Sequence, residues 1–115
     1  MAMIETWFEQ DLQKPVKVHN IGGELFSNNS SGNRIGVAVY NNGEPVTLSG
    51  SVNGYAVLSD GSTVRCPGTR SGNKASVTVP AAAYLPGAIF ISIMLTDGIV
   101  TTTLAAVSSN VQQVN

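Results

Sequence analysis

VYNNGEPVTLSGSVNG, residues 39–54, sets two Asn-Gly pairs around a run that alternates apolar and polar side chains. Asn and Gly accept positive φ at little cost, so Asn42-Gly43 and Asn53-Gly54 both read as tight turns joining antiparallel strands. Between them Val46 and Leu48 fall on one face and Thr47 on the other, a period of two and therefore a strand. The same grammar continues on both sides. Upstream, Ile35, Val37 and Val39 share a face, with Gly36, Ala38 and Tyr40 opposite. Downstream, Val52 to Leu58 alternates again, and Asp60-Gly61 predicts a type I′ hairpin returning through Thr63 to Cys66.

Further along, Pro67-Gly68 and Ser71-Gly72-Asn73 read as turns around a strand at Ala75–Val79. Pro80 followed by three alanines and Tyr84 predicts one helical turn, because Pro suits the first helical position. Gly87 to Thr96 reads as a strongly buried strand with Phe90 in the core. Asp97-Gly98 turns the chain into a last strand rich in Thr and Val, Ile99 to Val107. About seven short strands with frequent turn signals predict an all-β, immunoglobulin-like antiparallel β-sandwich over residues 34–115.

Residues 1–33 differ in texture and predict an N-terminal arm, irregular apart from a short strand at Pro15–His19. Trp7 and Phe8 are its large apolar anchors, and Val16 and Val18 alternate with polar residues. Gly22-Gly23 and the polar tract from Ser27 to Asn33 read as linker. The segment has too few apolar residues for its own core, so it must pack on the sandwich, on a second copy or on another protein. Trp7, Phe8, Val16 and Val18 are therefore the candidate partner-binding residues of the arm.

Charge narrows the function classes. Only 11% of the 115 residues are charged, against about 25% in average soluble domains, and the formal net charge is −1. No basic stripe is present to bind nucleic acid or anionic lipid. The opening MAMIETWFEQDLQK has acids where a signal peptide carries basic residues, and it lacks an apolar h-region, so synthesis in a cytoplasm is expected. No apolar run is long enough to insert into a membrane.

Chemistry is scarce. His19 is the sole histidine and Cys66 the sole cysteine, so neither a metal site nor a disulfide framework is expected. His19 reads as an exposed strand residue, Cys66 as a small buried hydrophobe. Asp60 and Asp97 precede turn glycines, and Glu9 and Asp11 read as a solvated face. No nucleophile elbow, phosphate loop or calcium loop occurs, and no catalytic residue, cofactor or enzymatic activity is expected. Tyr40, Tyr55 and Tyr84, with Arg65 and Arg70, are the weaker candidates for contact with a glycan or a partner.

From Val39 to Val111 the order of features has a known counterpart. VYNNGEPVTLSGSVNGYAVLSDGSTV, then GNKASVTVPAAAY, then PGAIFISIMLTDG and IVTTTLAAVSSNV resembles the N-terminal Ig-like domain of the baseplate upper protein family of tailed bacteriophages. The resemblance implies a virion structural protein with no catalytic residues. It would assemble with itself, as a trimer by analogy, and with other phage structural proteins in a tail baseplate. Decoration of a capsid surface or anchoring of a fibre is the neighbouring expectation. A small carbohydrate-binding module for a host cell-surface glycan is the alternative from a different class.

Overall fold

The computed structural model describes residues 4–16, 18–20 and 33–111. The Gly22-Gly23 pair and the polar tract over 27–32 lie outside the described residues. Among the described residues nine strands follow in chain order: β1 (Ile4–Asp11), β2 (Val18–Asn20), β3 (Asn33–Asn41), β4 (Glu44–Pro45), β5 (Ser51–Val57), β6 (Thr63–Ser71), β7 (Lys74–Val79), β8 (Gly87–Asp97) and β9 (Val100–Val111). A 3-10 turn at Ala81–Ala83 occupies the alanine run expected to be helical.

The strands form one mixed sheet in the order β1-β3-β7-β6-β5-β8-β9-β2, with β4 paired to β3. The sheet curls so that its halves face one another as the two layers of an all-β sandwich. One layer holds β1, β3, β7 and the end of β6. The other holds the start of β6, then β5, β8, β9 and β2. β6 belongs to both because it bends at Pro67-Gly68, where a turn was expected. Asn53 pairs with Pro67, and the next residue, Gly68, already pairs with Val77 in the other layer.

Ile35, Val37 and Val39 from one layer meet Ile91, Ile93 and Val107 from the other, all essentially fully buried. Burial of each such side chain stabilises the fold by about 1.5–3 kcal/mol. The period-two pattern is what places them there, since a slip of one residue would turn each to solvent.

The two Asn-Gly pairs part company. Asn42 (φ 53°) and Gly43 (φ 84°) are both left-handed and close the two-residue hairpin between β3 and β4, the φ signature of a type I′ turn. Asn53-Gly54 lies in the middle of β5 and turns nothing. Gly54 faces the core, where a Cβ would sit 2.8 Å from Val77 Cγ1 and 3.0 Å from Cys66 Cβ. Its missing side chain is the space that Val77 of the facing layer occupies. At Asp60-Gly61 only the glycine has positive φ, so the expected type I′ turn is replaced by a longer loop closed by Leu58 N–H to Ser62 O (2.8 Å). Asp97 is still strand, and Gly98-Ile99 form the turn before β9. Phe90, expected in the core, points outward and is 38% exposed. Its neighbours Ile89 and Ile91 take the inward positions instead, because β8 alternates in the opposite phase there.

The arm segment is more regular than its sequence suggests. β1 runs parallel to β3 from Ile4↔Asn33 to Asp11↔Tyr40. β2 runs parallel to β9 from Val18↔Ala106 to Asn20↔Ser108. The body is antiparallel throughout, so both parallel pairings come from the N-terminal segment. That segment starts on the edge of one layer and ends on the edge of the other.

Candidate functional site

The crossover between β1 and β2 brings several chemistry-bearing residues to one place. Phe8 packs against the core and stacks on His19, ring centroids 4.0 Å apart and planes 15° from parallel. This stack joins the two layers across the side of the sandwich that the body leaves open. His19 is thus half-buried rather than exposed, and its Nε2 has no hydrogen-bond partner among the described residues. The side chain of Gln10, almost fully buried, donates to the carbonyls of Asp11 (2.9 Å), Lys14 (3.1 Å) and Pro15 (3.3 Å). It clamps the bend as the chain leaves β1.

Asp11 fixes the same bend to the body. Its carboxylate accepts the backbone N–H of Gln13 (2.9 Å), Asn42 (3.0 Å) and Gly43 (2.9 Å). The left-handed Asn42-Gly43 turn presents its two N–H groups together, which is an anion-binding arrangement. The bond from Gln13 N–H, then that from Gly43, holds the Asp11 carboxyl below its ordinary pKa. A cleft of about 450 Å³ lies alongside, lined by Glu9, Asp11, Lys14, His19 and Tyr40 among others.

A second depression lies on the outer face of the β1–β3–β7 layer. Ala38 of β3 lines it, and Gly36 of the same strand lies beneath Trp7 at its side. Trp7 lies against Gly36, where any Cβ would fall inside the indole's van der Waals envelope. The ring is therefore seated on the sheet, yet Trp7 remains 44% exposed. The Lys74 ammonium stands 5.7 Å from its ring centroid, within reach of a cation–π attraction. Register places Glu9 and Lys74 on either side of Ala38. The depression encloses about 310 Å³, bounded by Trp7, Glu9, Tyr40 and Lys74. It shares Glu9 and Tyr40 with the cleft beside the crossover.

The outer face of the other layer carries exposed apolar side chains between polar ones such as Ser92, Ser108 and Arg65. Pairing aligns Val18, Ala106, Ser92 and Tyr55 in one row and Phe90 with Val57 in the next. Val18 (58%), Val57 (43%), Tyr55 and Phe90 (both 38%) are exposed there. Arg65 flanks the strip and hydrogen-bonds Asn53 Oδ1 through Nε (3.0 Å) and Nη2. At the tip of the β8–β9 hairpin Ile99 is fully exposed.

These geometries can be set beside known proteins. No protein-family model matches the chain, and no curated protein matches it. Among solved structures, the N-terminal domain of phage TP901-1 ORF48 superposes with a TM-score of 0.55 at 11% sequence identity. The match covers 96% of this chain and 99% of that one. The fold is shared with a phage protein domain. At this identity the likeness concerns the path of the backbone, and it includes nearly the whole of each chain.

Within that fold the sequence-derived candidates separate. Trp7 and Tyr40 meet at one depression, while Tyr55 lies on the opposite outer face. Phe8 is turned inward to His19; Val16 and Val18 are exposed. Tyr84 is half-buried, its hydroxyl accepting from Asn33 Nδ2 (2.9 Å). Arg70 is structural, donating to Gly50 O (2.7 Å) and Leu48 O (3.1 Å) and so holding the 48–50 segment to β6. Cys66 is fully buried, and burial pushes its thiol up to about 11, which leaves it protonated and unreactive at neutral pH. Sequence reasoning missed Gln10 and read Glu9 and Asp11 as a solvated face. Their types are ordinary on a polar surface, and only the parallel pairing of β1 with β3 brings them beside the Asn42-Gly43 turn and Ala38.

Proposed function

We propose that this chain is a bacteriophage virion structural protein, a sandwich module that attaches to the particle through its surfaces and has no catalytic role. The observation that carries the reading is the match to the ORF48 N-terminal domain over nearly the full length of both chains. The resemblance of residues 39–111 to the baseplate upper protein family points the same way and favours the tail baseplate over the capsid. The exposed strip of Val18, Tyr55, Val57 and Phe90 is the surface assigned to assembly, with copies of this chain or with another structural protein. Large apolar side chains grouped on one flat face are typical of such contacts.

The test is quantitative mass spectrometry of purified particles of a phage carrying this gene, with tails and capsids separated. The expected result is the chain in the tail fraction, in copy numbers that are multiples of three. Its absence from washed particles would end the virion reading. Its recovery from capsids alone would end the baseplate placement, and a single copy per particle would end self-assembly.

A further inference from the structure

We propose that the depression walled by Trp7, Glu9, Tyr40 and Lys74 is a saccharide-binding site that seats one pyranose ring of a polysaccharide on the indole. The inference stands on the site's geometry and does not depend on the virion reading.

Three features define the ligand class. First, the aromatic surface is flat, seated on the sheet and partly exposed, with the Lys74 ammonium over it 5.7 Å from the ring centroid. Gly36 provides the seat that holds the indole against the sheet, and nearly half of the Trp7 surface still meets solvent. A ring held this way loses little conformational freedom on binding, so a stacked ligand gains affinity without ordering the side chain. The apolar C–H face of a pyranose matches such a ring in size and shape.

Second, beside the apolar Phe8 and Ala38 the walls carry polar groups of mixed sign. Glu9 offers a carboxylate, Lys74 an ammonium and Tyr40 a hydroxyl. Apart from the Lys74–Trp7 contact, none of the three makes an ion pair or hydrogen bond to the described residues. One negative and one positive group leave no net charge to select an anion or a cation. Acceptor and donors placed at the rim of an aromatic platform suit a neutral ring that carries hydroxyls around its edge. A protein partner would ask for something different, a broad apolar core with charge excluded from its centre. Along this face Trp7 has Glu5, Arg34, Ser76 and Thr78 on one side, all polar, and the depression with Ala38 and Phe8 on the other.

Third, the volume fits an extended ligand. About 310 Å³ lies at the lower end of the range for small-molecule sites, about 300–1,000 Å³. The adjoining cleft of about 450 Å³ shares Glu9 and Tyr40 and adds Asp11, Lys14 and His19. A second sugar unit would lie there, its hydroxyls against groups that both donate and accept.

Trp7 is the sole tryptophan, so its emission reports this site and no other. The experiment titrates the full chain with short oligosaccharides of glucose, galactose, rhamnose and N-acetylglucosamine while following that emission. The expected result is a saturable change with at least one of them. Calorimetry with that sugar then compares variants. Trp7→Ala should weaken binding about tenfold or more, the scale of a lost aromatic contact. Glu9→Gln and Lys74→Ala should each weaken it several-fold with unchanged thermal midpoint, which keeps the test valid should Trp7→Ala disturb β1. No saturable change with any of the sugars overturns the proposal, as does wild-type affinity in Lys74→Ala and Glu9→Gln. An emission change produced by phage structural protein and by none of the sugars would assign the face to a protein partner instead and overturn it equally.

Discussion

β8 and β9 run together from Gly87↔Val111 to Asp97↔Val100, whereas β2 meets β9 only over Val18–Asn20. The hairpin-built body and the N-terminal crossover are both β-structure, but they are held by different means. In the body, tight turns bring neighbouring strands together, and interdigitated aliphatic side chains fill the space between layers. In the crossover, strands pair in parallel with partners far along the chain. Polar clamps and one aromatic stack fix the bend between them. Loop closure over such distances must be offset by those few contacts. The crossover should therefore open before the body unfolds, and it is the part that carries both depressions.

The largest expected effect of the changes considered belongs to the body. Gly54→Ala adds a Cβ 2.8 Å from Val77 Cγ1 and 3.0 Å from Cys66 Cβ. Overpacking of this kind costs about 1–3 kcal/mol, and the entropic gain of replacing glycine, about 0.4–1 kcal/mol, does not cover it. A net loss of about 1–2 kcal/mol is expected in urea denaturation, with one cooperative transition. Wild-type stability in this variant would mean that the layers are not locked at Val77, and the contrast with the crossover would fail.

Next comes the clamp. Gln10→Ala removes the donor shared by the carbonyls of Asp11, Lys14 and Pro15. A cost of about 0.5–1.5 kcal/mol is expected from the lost hydrogen bonding. Its distribution matters more than its size. Amide hydrogen exchange should accelerate in β1 and β2 and stay unchanged in β5 and β8. Uniform acceleration across all strands would show crossover and body to be a single cooperative unit.

The same division explains what could be read from the sequence. The alternation at Ile35–Val39 and Val52–Leu58 is local information, and it located the sandwich, its core and most of its hairpins. Asn42-Gly43 was legible because a turn depends on its own residues. Asn53-Gly54 was not, because the reason for Gly54 is Val77, a residue in the opposite layer. Phe90 sits in an almost unbroken apolar run, where composition cannot set the phase of the strand; pairing to Val57 does. The depression was half legible. Trp7 and Tyr40 stood out as aromatics. Gly36 as the seat of Trp7 and Glu9 beside Ala38 required the parallel register of β1 on β3, and Lys74 on the other side of Ala38 required the pairing of β3 with β7, neither of which a local pattern encodes.

The smallest expected effect separates the two regions by acid. Two aspartates are held below the ordinary pKa of 3.8, one in each region. Asp60, in the loop between β5 and β6, is held chiefly by the Ser62 hydroxyl (2.6 Å) and then by the Ser62 N–H (2.9 Å). Asp11 is held chiefly by the N–H of Gln13 and then of Gly43, so it ties the crossover to the β3–β4 turn. A pKa lowered on folding means that the ionised form favours the folded state. That contribution is complete above the unfolded value of 3.8 and is lost as pH falls through the lower folded value. Asp11→Asn should therefore raise amide exchange in β1 at neutral pH and lose its difference from wild type as the pH falls through the lowered folded value, below 3.8. Asp60→Asn should act with the same pH dependence on the 58–62 loop and leave β1 untouched. An Asp11→Asn difference that persisted undiminished in acid would mean that the carboxylate charge is not what holds the crossover to the turn.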